Sequence, residues 1–378
     1  MSSSHKVDFV VVGAGIAGAS VAAALAERGS VAVLDMEEHA GYHTTGRSAA
    51  LYSKIYGNAA IRALTRASHE FLFRPPAGFA LHPLVSARPT LYFARPDQAA
   101  SLERMRADDD VKTGTELLDG KRAASMVPIF RPGYLGSAAL DPESADIDVH
   151  ELHQAFLRRT RALGGRIVLG APVREARTNG GGIWHVSTAK ETFFAPVVIN
   201  CAGAWGDEFA ALAGVRPIGL RPLRRTAMRI EAPAGTDVTR WPVAIDVDEE
   251  FYFKPEAGAL LLSPADEHES PACDVQPEEL DVAIAVDRFE GATTLRVERV
   301  TRRWAGLRVF TSDRTPAIGF DGEARGFFWL VGQGGYGIQT SPALARIAGA
   351  LACGEPTPID VAAHGVRLEA LTVDRFRH

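Results

Sequence analysis

Two glycine-rich stretches and an acid spaced from the first are the residues of this chain best suited to do chemistry. Gly13-Ala14-Gly15-Ile16-Ala17-Gly18 follows the apolar run Phe9-Val10-Val11-Val12, and Asp35 closes the next apolar run, Val31 to Leu34. Gly13 permits a tight turn, Gly15 lets backbone approach a pyrophosphate, and Gly18 lets a helix pack closely on a sheet. Phosphates then sit at a helix N-terminus, where free N–H groups and the dipole favour negative charge. A carboxylate about 20 residues on accepts from ribose hydroxyls and disfavours a 2′-phosphate. The implied ligand is a dinucleotide, and this spacing does not choose between NAD and FAD. A merely structural glycine turn is the plain alternative; strand before, helix after and acid at the next strand end argue against it. Near the other end, Gly332-Gln333-Gly334-Gly335-Tyr336-Gly337-Ile338-Gln339-Thr340 follows the apolar run Phe327 to Val331. Its four glycines let main chain lie against a flat ring. Ser341 and Pro342 read as cap and first turn of a helix over about 342–353.

The rest of the chain must bring these stretches together. With 378 residues, 46% of them hydrophobic and 23% charged, it has ample core for a globular protein of two domains or a little more. The formal net charge of −5 comes without a basic stripe for nucleic acid or a polybasic face for membranes. Three cysteines, Cys201, Cys273 and Cys353, encode neither a disulfide framework nor a zinc cluster and fit a reducing compartment. The first apolar helix is too short and alanine-rich for a signal or a membrane span, so a cytoplasmic protein is expected, with peripheral contact at the inner membrane face left open.

In between, Gly41 to Ala50 supplies hydroxyls and small residues that suit cofactor contacts as well as a plain surface loop. Spacing predicts a helix over 59–73, a strand at Thr90 to Phe93, and a helix over 149–162 capped by Asp148. His150 and His153 share a face of that helix, but nothing completes a metal set and a structural pair is the better reading. The apolar strand Pro196 to Asn200 ends in Cys201-Ala202-Gly203-Ala204-Trp205, which returns the chain to the first sheet, with Cys201 a packing residue. From Arg221 to about Arg303 the pattern has period two, the mark of antiparallel strands. It puts Arg225, Ala227 and Arg229 on one face and sets Tyr252 opposite Phe251 and Phe253. A solvated edge position is the plain alternative for Arg225 and Tyr252.

The first glycine turn, Asn200 to Trp205, Trp304-Ala305-Gly306-Leu307-Arg308 and Gly334-Gly335-Tyr336-Gly337 occur in this order along nearly the whole chain. Together they resemble the D-amino acid oxidase superfamily of FAD enzymes. Within it, Gly41 to Ala50 and Gly332 to Thr340 look most like the bacterial D-arginine dehydrogenases. The resemblance implies an α/β fold, with a Rossmann-like FAD-binding domain (1–78, 146–220 and 304–378) interleaved with an α+β substrate domain (79–145 and 221–303) on a mostly antiparallel sheet. It implies FAD held by Gly13, Gly15, Ala17, Gly18, Asp35, Met36 and Val173 at the adenine half. Toward the ring it implies Thr44, Thr45, Gly46, Arg47, Ser48, Ala49, Ala50 and Leu51, then Ala202, Gly203 and Trp205, and finally Gly334, Gly335, Tyr336, Gly337, Ile338 and Gln339. Covalently flavinylated amine oxidases of the superfamily carry a cysteine near the position of Gly306, so a non-covalent flavin is expected here.

The implied reaction is oxidation of the Cα–N bond of a D-amino acid by hydride transfer to flavin N5, the imino acid then hydrolysing to a 2-oxo acid and ammonia. Arg225 and Arg308 match the carboxylate clamp, a task suited to guanidinium forks. Tyr56 and Tyr252 match residues that add hydroxyl contacts, Tyr56 on a loop that acts as a lid. The Gly335 carbonyl is matched to the substrate amine, and the helix N-terminus after Gln339 to negative charge on the reduced ring. No metal and no dedicated general base are expected. Arginine-selective relatives carry an acid at the position of Thr90 and a histidine at Leu51. Their loss implies a shift toward neutral or apolar side chains, with Glu249 the one acid kept near Tyr252. Electrons would pass to a quinone or another acceptor. An oxygen-using glycine or sarcosine-type oxidase, a 2-hydroxy acid dehydrogenase and a non-catalytic redox sensor are the alternatives.

Overall fold

The computed structural model describes residues 3–179, 181–233 and 235–377; Met1, Ser2, Gly180, Ala234 and His378 lie outside the described residues. Two large sheets organise it. The first has six strands in the order Arg166–Val168, Val31–Leu34, Phe9–Val12, Val197–Asn200, Phe327–Val331, Ala317–Phe320. Five run parallel and the last is antiparallel. Phe9–Val12, Val31–Leu34 and Phe327–Val331 are buried at every position, as continuous apolar runs covered on both faces must be. Helices Ile16–Ala26 and Gly337–Ala352 pack against each other beside this sheet, with Gly349 leaving Ala24 room to approach. The N-terminal residues of both helices lie at the carboxyl ends of the strands that precede them, where open α/β sheets bind ligands.

The second sheet has nine strands and is antiparallel except where Val243–Asp246 runs parallel to Thr90–Ala94. Alternation sorts its side chains: Leu91, Phe93, Met228, Phe251, Phe253, Leu260 and Leu262 form one oily core with Phe289. Arg225, Ala227 and Tyr252 face the other way and line a cavity. Two smaller sheets, of four and three strands, complete the molecule.

Three expectations are corrected. Residues Glu279–Ala292 form a helix inside the stretch read as period two, and its buried Val282, Ala285, Phe289 and Ala292 recur at helical spacing. The last long helix begins at Gly337, so Pro342 sits inside it rather than in a first turn. Proline cannot donate to the Ile338 carbonyl, but the Ser341 hydroxyl does so at 2.9 Å, and the Ser68 hydroxyl accepts from Ala343 N at 3.1 Å. Those substitutes carry the helix through the proline, and the helix N-terminus accordingly precedes Gln339. Strand Val300–Phe310 pairs along its length with Arg221–Ile230, so the boundary expected at 304 falls within a strand of the nine-stranded sheet.

Candidate active site

A cavity of about 490 Å³ opens between the two large sheets and reaches both glycine turns. At its first end Gly13 adopts φ +103°, and a Cβ there would collide with the Cys201 carbonyl oxygen. Only glycine lets these strand ends meet. A Cβ on Gly18 would strike the Gly13 carbonyl and crowd Val11 of the neighbouring strand at 3.3 Å, so this glycine serves both the turn and the helix–sheet contact. Helix Ile16–Ala26 has no acid in its first turn and no cap from Gly15; Thr45 takes its first N–H, and its positive end is otherwise left to a ligand. Asp35 sits at the end of its strand, with Oδ2 accepting from Ala14 N at 2.5 Å and Oδ1 from Glu37 N at 2.8 Å. Burial pushes the Asp35 carboxyl up, and these backbone bonds pull the other way.

The turn is supported from below by a histidine. His153 is buried, its Nε2 is 2.8 Å from the Ala14 carbonyl, and a Cβ on Gly41 would lie 2.9 Å from its ring. Burial lowers its pKa, partly offset by the bond to Ala14 and reinforced by His150. His153 thus props the turn while His150 is exposed, and among the described residues no group of three or more His, Cys, Asp and Glu could hold a metal. Cys201 is buried and its thiol is pushed far up by that burial, as suits packing rather than nucleophilic chemistry.

The segment after Asp35 is stapled to the second sheet. Thr44 Oγ1 donates to the Leu307 carbonyl at 2.7 Å, Arg47 Nη1 to Ala305 O at 2.9 Å, and Trp304 Nε1 to Arg47 O at 3.1 Å. Thr45 Oγ1 accepts from Ile16 N at 2.9 Å and so ties the segment to the first turn as well. Arg47 also pairs with Asp274 and lies 5.2 Å from the Tyr42 ring centroid.

At the far end, register decides which side chains meet. Arg225 is paired with Gly306, so Arg308, two residues further along the neighbouring strand, is its diagonal neighbour on the same face. A Cβ on Gly306 would lie 3.5 Å from Arg47 Cβ, so this glycine faces the segment after Asp35. Tyr252 joins that face two strands away, paired with Ser263. Arg225 is buried, so its solvated alternative is set aside. Arg308 is half-buried; burial opposes its charge, but Tyr56, Tyr252 and Glu249 outweigh that and drive its pKa up. The second glycine turn fits around these groups. A Cβ on Gly335 would lie 2.9 Å from Arg308 Cζ, and one on Gly334, at φ +55°, would collide with the Phe310 ring. Helix Gly337–Ala352 also lacks an acid in its first turn, so its positive end faces the same space.

Most of the expected residues line this cavity: Gly13, Gly15, Ala17, Asp35 and Met36 from the first turn, Thr44, Thr45, Arg47, Ser48 and Ala49 from the stapled segment, then Val173, Ala202, Gly203 and Trp205. Gly334, Gly335, Gly337 and Ile338 close it beside Arg225, Tyr252 and Arg308. Gly18, Gly46, Ala50, Leu51, Tyr56, Tyr336 and Gln339 are not part of this lining. Tyr56 and Tyr336 stack edge to face at 4.9 Å, burial pushes the Tyr336 hydroxyl up to about 12, and Gln339 accepts from Ser53 N at 3.0 Å. Thr90 is fully buried with its hydroxyl 2.9 Å from Ser144 Oγ, and Glu249 is exposed at φ +53°. Reading by motif missed Glu37, which meets His43 at 2.9 Å, and Glu208 and Leu212 of the helix Gly206–Leu212. The i, i+4 spacing of Glu208 and Leu212 after the Asn200 to Trp205 turn was the available signal.

The glycine approaches and the two helix ends free of acids fit a dinucleotide that reaches from one turn to the other. Comparison with known proteins agrees. The family model described as DAO, FAD dependent oxidoreductase, matches residues 8–351. Among curated relatives, 4-methylaminobutanoate oxidase (formaldehyde-forming) of Paenarthrobacter nicotinovorans is 25% identical over 353 residues, covering 89% of this chain and 42% of that protein. Human mitochondrial dimethylglycine dehydrogenase is 23% identical over 155 residues, 40% of this chain and 18% of that one. The chain thus spans well under half the length of these relatives. Among solved structures, L-proline dehydrogenase from P. horikoshii superposes with a TM-score of 0.81 at 22% identity, covering 97% of this chain and 98% of that one. Glycine oxidase from Geobacillus kaustophilus does so with 0.81 at 20%, covering 96% and 99%. L-alpha-glycerophosphate oxidase from Mycoplasma pneumoniae, with FAD bound, gives 0.83 at 16%, covering 92% and 95%. The family match over almost the whole length, on a fold whose two glycine turns share one cavity, means that this chain belongs to the DAO family of FAD-dependent oxidoreductases.

Proposed function

We propose that this enzyme oxidises the Cα–N bond of D-amino acids with non-covalent FAD, yielding a 2-oxo acid and ammonia after hydrolysis of the imino acid. The observation that carries the reading is the diagonal pair Arg225 and Arg308 on one sheet face, beside Tyr252 and against Gly335. Two guanidinium forks at the closed end of a cavity suit a carboxylate better than any structural role. FAD, when bound, supplies the hydride acceptor. The chain's own residues do the rest: the arginines hold the carboxylate, Tyr252 and Tyr56 shape the space above it, and the Gly335 carbonyl is available to the amine. With the amine bound unprotonated, positioning supplies much of the rate.

Neutral or apolar side chains are the proposed preference. Thr90 and Leu51 offer no charge where arginine-selective relatives carry an acid and a histidine. A buried cationic side chain would lack an ionised partner there. In this reading the chain resembles D-arginine dehydrogenases in motif but not in selectivity, and its electrons pass to a quinone or another acceptor. Glycine or sarcosine-type oxidation with oxygen is the second reading, favoured by the N-methylamine and glycine enzymes among its relatives and structural neighbours.

Anaerobic mixing of the holoenzyme with D- and L-amino acids, sarcosine and 2-hydroxy acids tests both. Bleaching by neutral D-amino acids is the expected result. Highest efficiency with D-arginine would overturn the preference, bleaching by sarcosine or glycine alone would favour the second reading, and bleaching by hydroxy acids alone would overturn both.

A further inference from the structure

One carboxylate joins the cavity arginine Arg225 to Arg314, which stands outside the lining. Glu267 Oε1 accepts from Arg225 Nη2 at 3.1 Å and from Arg314 Nη2 at 2.9 Å, while its Oε2 accepts from Arg314 Nη1 at 3.0 Å. Arg314 thus grips Glu267 with both arms, while Arg225 holds it by one. Arg314 is itself fixed: its guanidinium lies 3.9 Å over the Phe310 ring, the same ring that Gly334 must make room for. Arg314 also holds φ +59°, a conformation that side chains avoid unless their surroundings impose it. Burial raises the Glu267 pKa, but Arg314, Arg225 and Arg308 outweigh it and keep the group ionised. A fixed negative charge therefore stands within the field of both arginines assigned to the substrate carboxylate.

We propose that Glu267 is a specificity-determining residue that limits this cavity, through Arg225, to substrates with a single carboxylate. The inference rests on the assignment of Arg225 and Arg308 as the carboxylate clamp. Arg225 and Arg314 converge on one point, and that convergence is a donor set for a second carboxylate. Glu267 occupies it. An acidic substrate would bring its second carboxylate up to a like charge that Arg314 grips with both arms. The first carboxylate is spared this conflict, since Arg308 and the remaining donors of Arg225 stay available to it.

The test compares D-glutamate with D-glutamine, which differ in charge and hardly in shape, in the wild-type holoenzyme and in Glu267→Gln, Glu267→Ala and Glu267→Asp. Wild type should favour D-glutamine by at least about 100-fold in kcat/KM. Glu267→Gln and Glu267→Ala should narrow that ratio at least tenfold by raising D-glutamate turnover, and Glu267→Asp should keep it wide. Binding of glutarate and of butyrate, read from flavin difference spectra, gives a second measure that needs no turnover. Glutarate should bind at least tenfold tighter to Glu267→Gln than to wild type, with butyrate little changed. If no amino acid reduces the flavin, the proposed reaction falls, while a gain confined to glutarate still upholds the inference. Equal handling of D-glutamate and D-glutamine by wild type, or unchanged ratios and unchanged glutarate binding in variants that melt as wild type does, overturns it. Should the Glu267 variants fail to fold, Arg314→Gln frees Glu267 to sit wholly on Arg225. The KM for D-glutamine should then rise several-fold, and a fall would overturn the proposal.

Discussion

The Arg308 guanidinium occupies the space that a side chain on Gly335 would need, 2.9 Å from Cζ and 3.0 Å from Nη1. The second glycine turn is thereby built around an arginine. Gly335→Ala should push that arginine out of line without touching the first turn. The expected outcome is a rise of ten- to a hundredfold in KM for D-amino acids at unchanged flavin content. Arg308→Lys should do similar damage, because losing one arm of a charge-assisted fork costs about 1.5–3 kcal/mol. Steady-state kinetics with the flavin-to-protein absorbance ratio checks both.

Gly13→Ala is the sharper lesion for the cofactor. The new methyl would meet the Cys201 carbonyl, and φ +103° is unfavourable for alanine. The variant should purify with little or no FAD and melt lower than wild type. Absorbance near the flavin bands and a thermal scan with added FAD read the two effects separately.

Asp35→Ala removes an acceptor without adding bulk. FAD affinity should fall by about ten- to a hundredfold, the equivalent of one or two hydrogen bonds to a charged group. Ala14 N and Glu37 N lose their partner too, so apoprotein stability should drop by about 1–3 kcal/mol. Titration of apoprotein with FAD, beside denaturant unfolding, tells affinity from stability.

His153 should make the first turn sensitive to acid. Its pKa is lowered by burial, so the unfolded chain binds a proton before the native one does. Stability from this group is fully present above its ordinary value, about 6.5, and is lost as pH falls below it, with a slope of up to about 1.4 kcal/mol per pH unit. His69, lowered by the same cause, adds to the effect. The melting temperature should fall between pH 6.5 and 5, and His153→Gln should flatten the fall, since an amide can still donate to the Ala14 carbonyl. A slope unchanged in that variant would assign the effect elsewhere.

Contiguous residues were enough to identify the first turn. Strand, Gly13, Gly15, Gly18, helix and Asp35 follow one another within thirty residues, and each is there for a local reason: a positive φ, a close approach, a hydrogen-bond acceptor. The same holds for the Asp148 cap and for Arg225 and Tyr252 on one sheet face, because alternation in a strand is a local rule. Local signals also misled. Ser341-Pro342 has the form of a helix start, yet the helix begins five residues earlier, because a local bond from Ser341 and a tertiary one to Ser68 compensate the proline. Strand register alone sets Arg308 diagonal to Arg225, packing alone brings His153 beneath Ala14, and three distant segments had to meet before Glu267 could join Arg225 to Arg314. Backbone geometry is written over a few neighbouring residues, whereas a charged cluster depends on through-space distances that no short stretch of chain encodes.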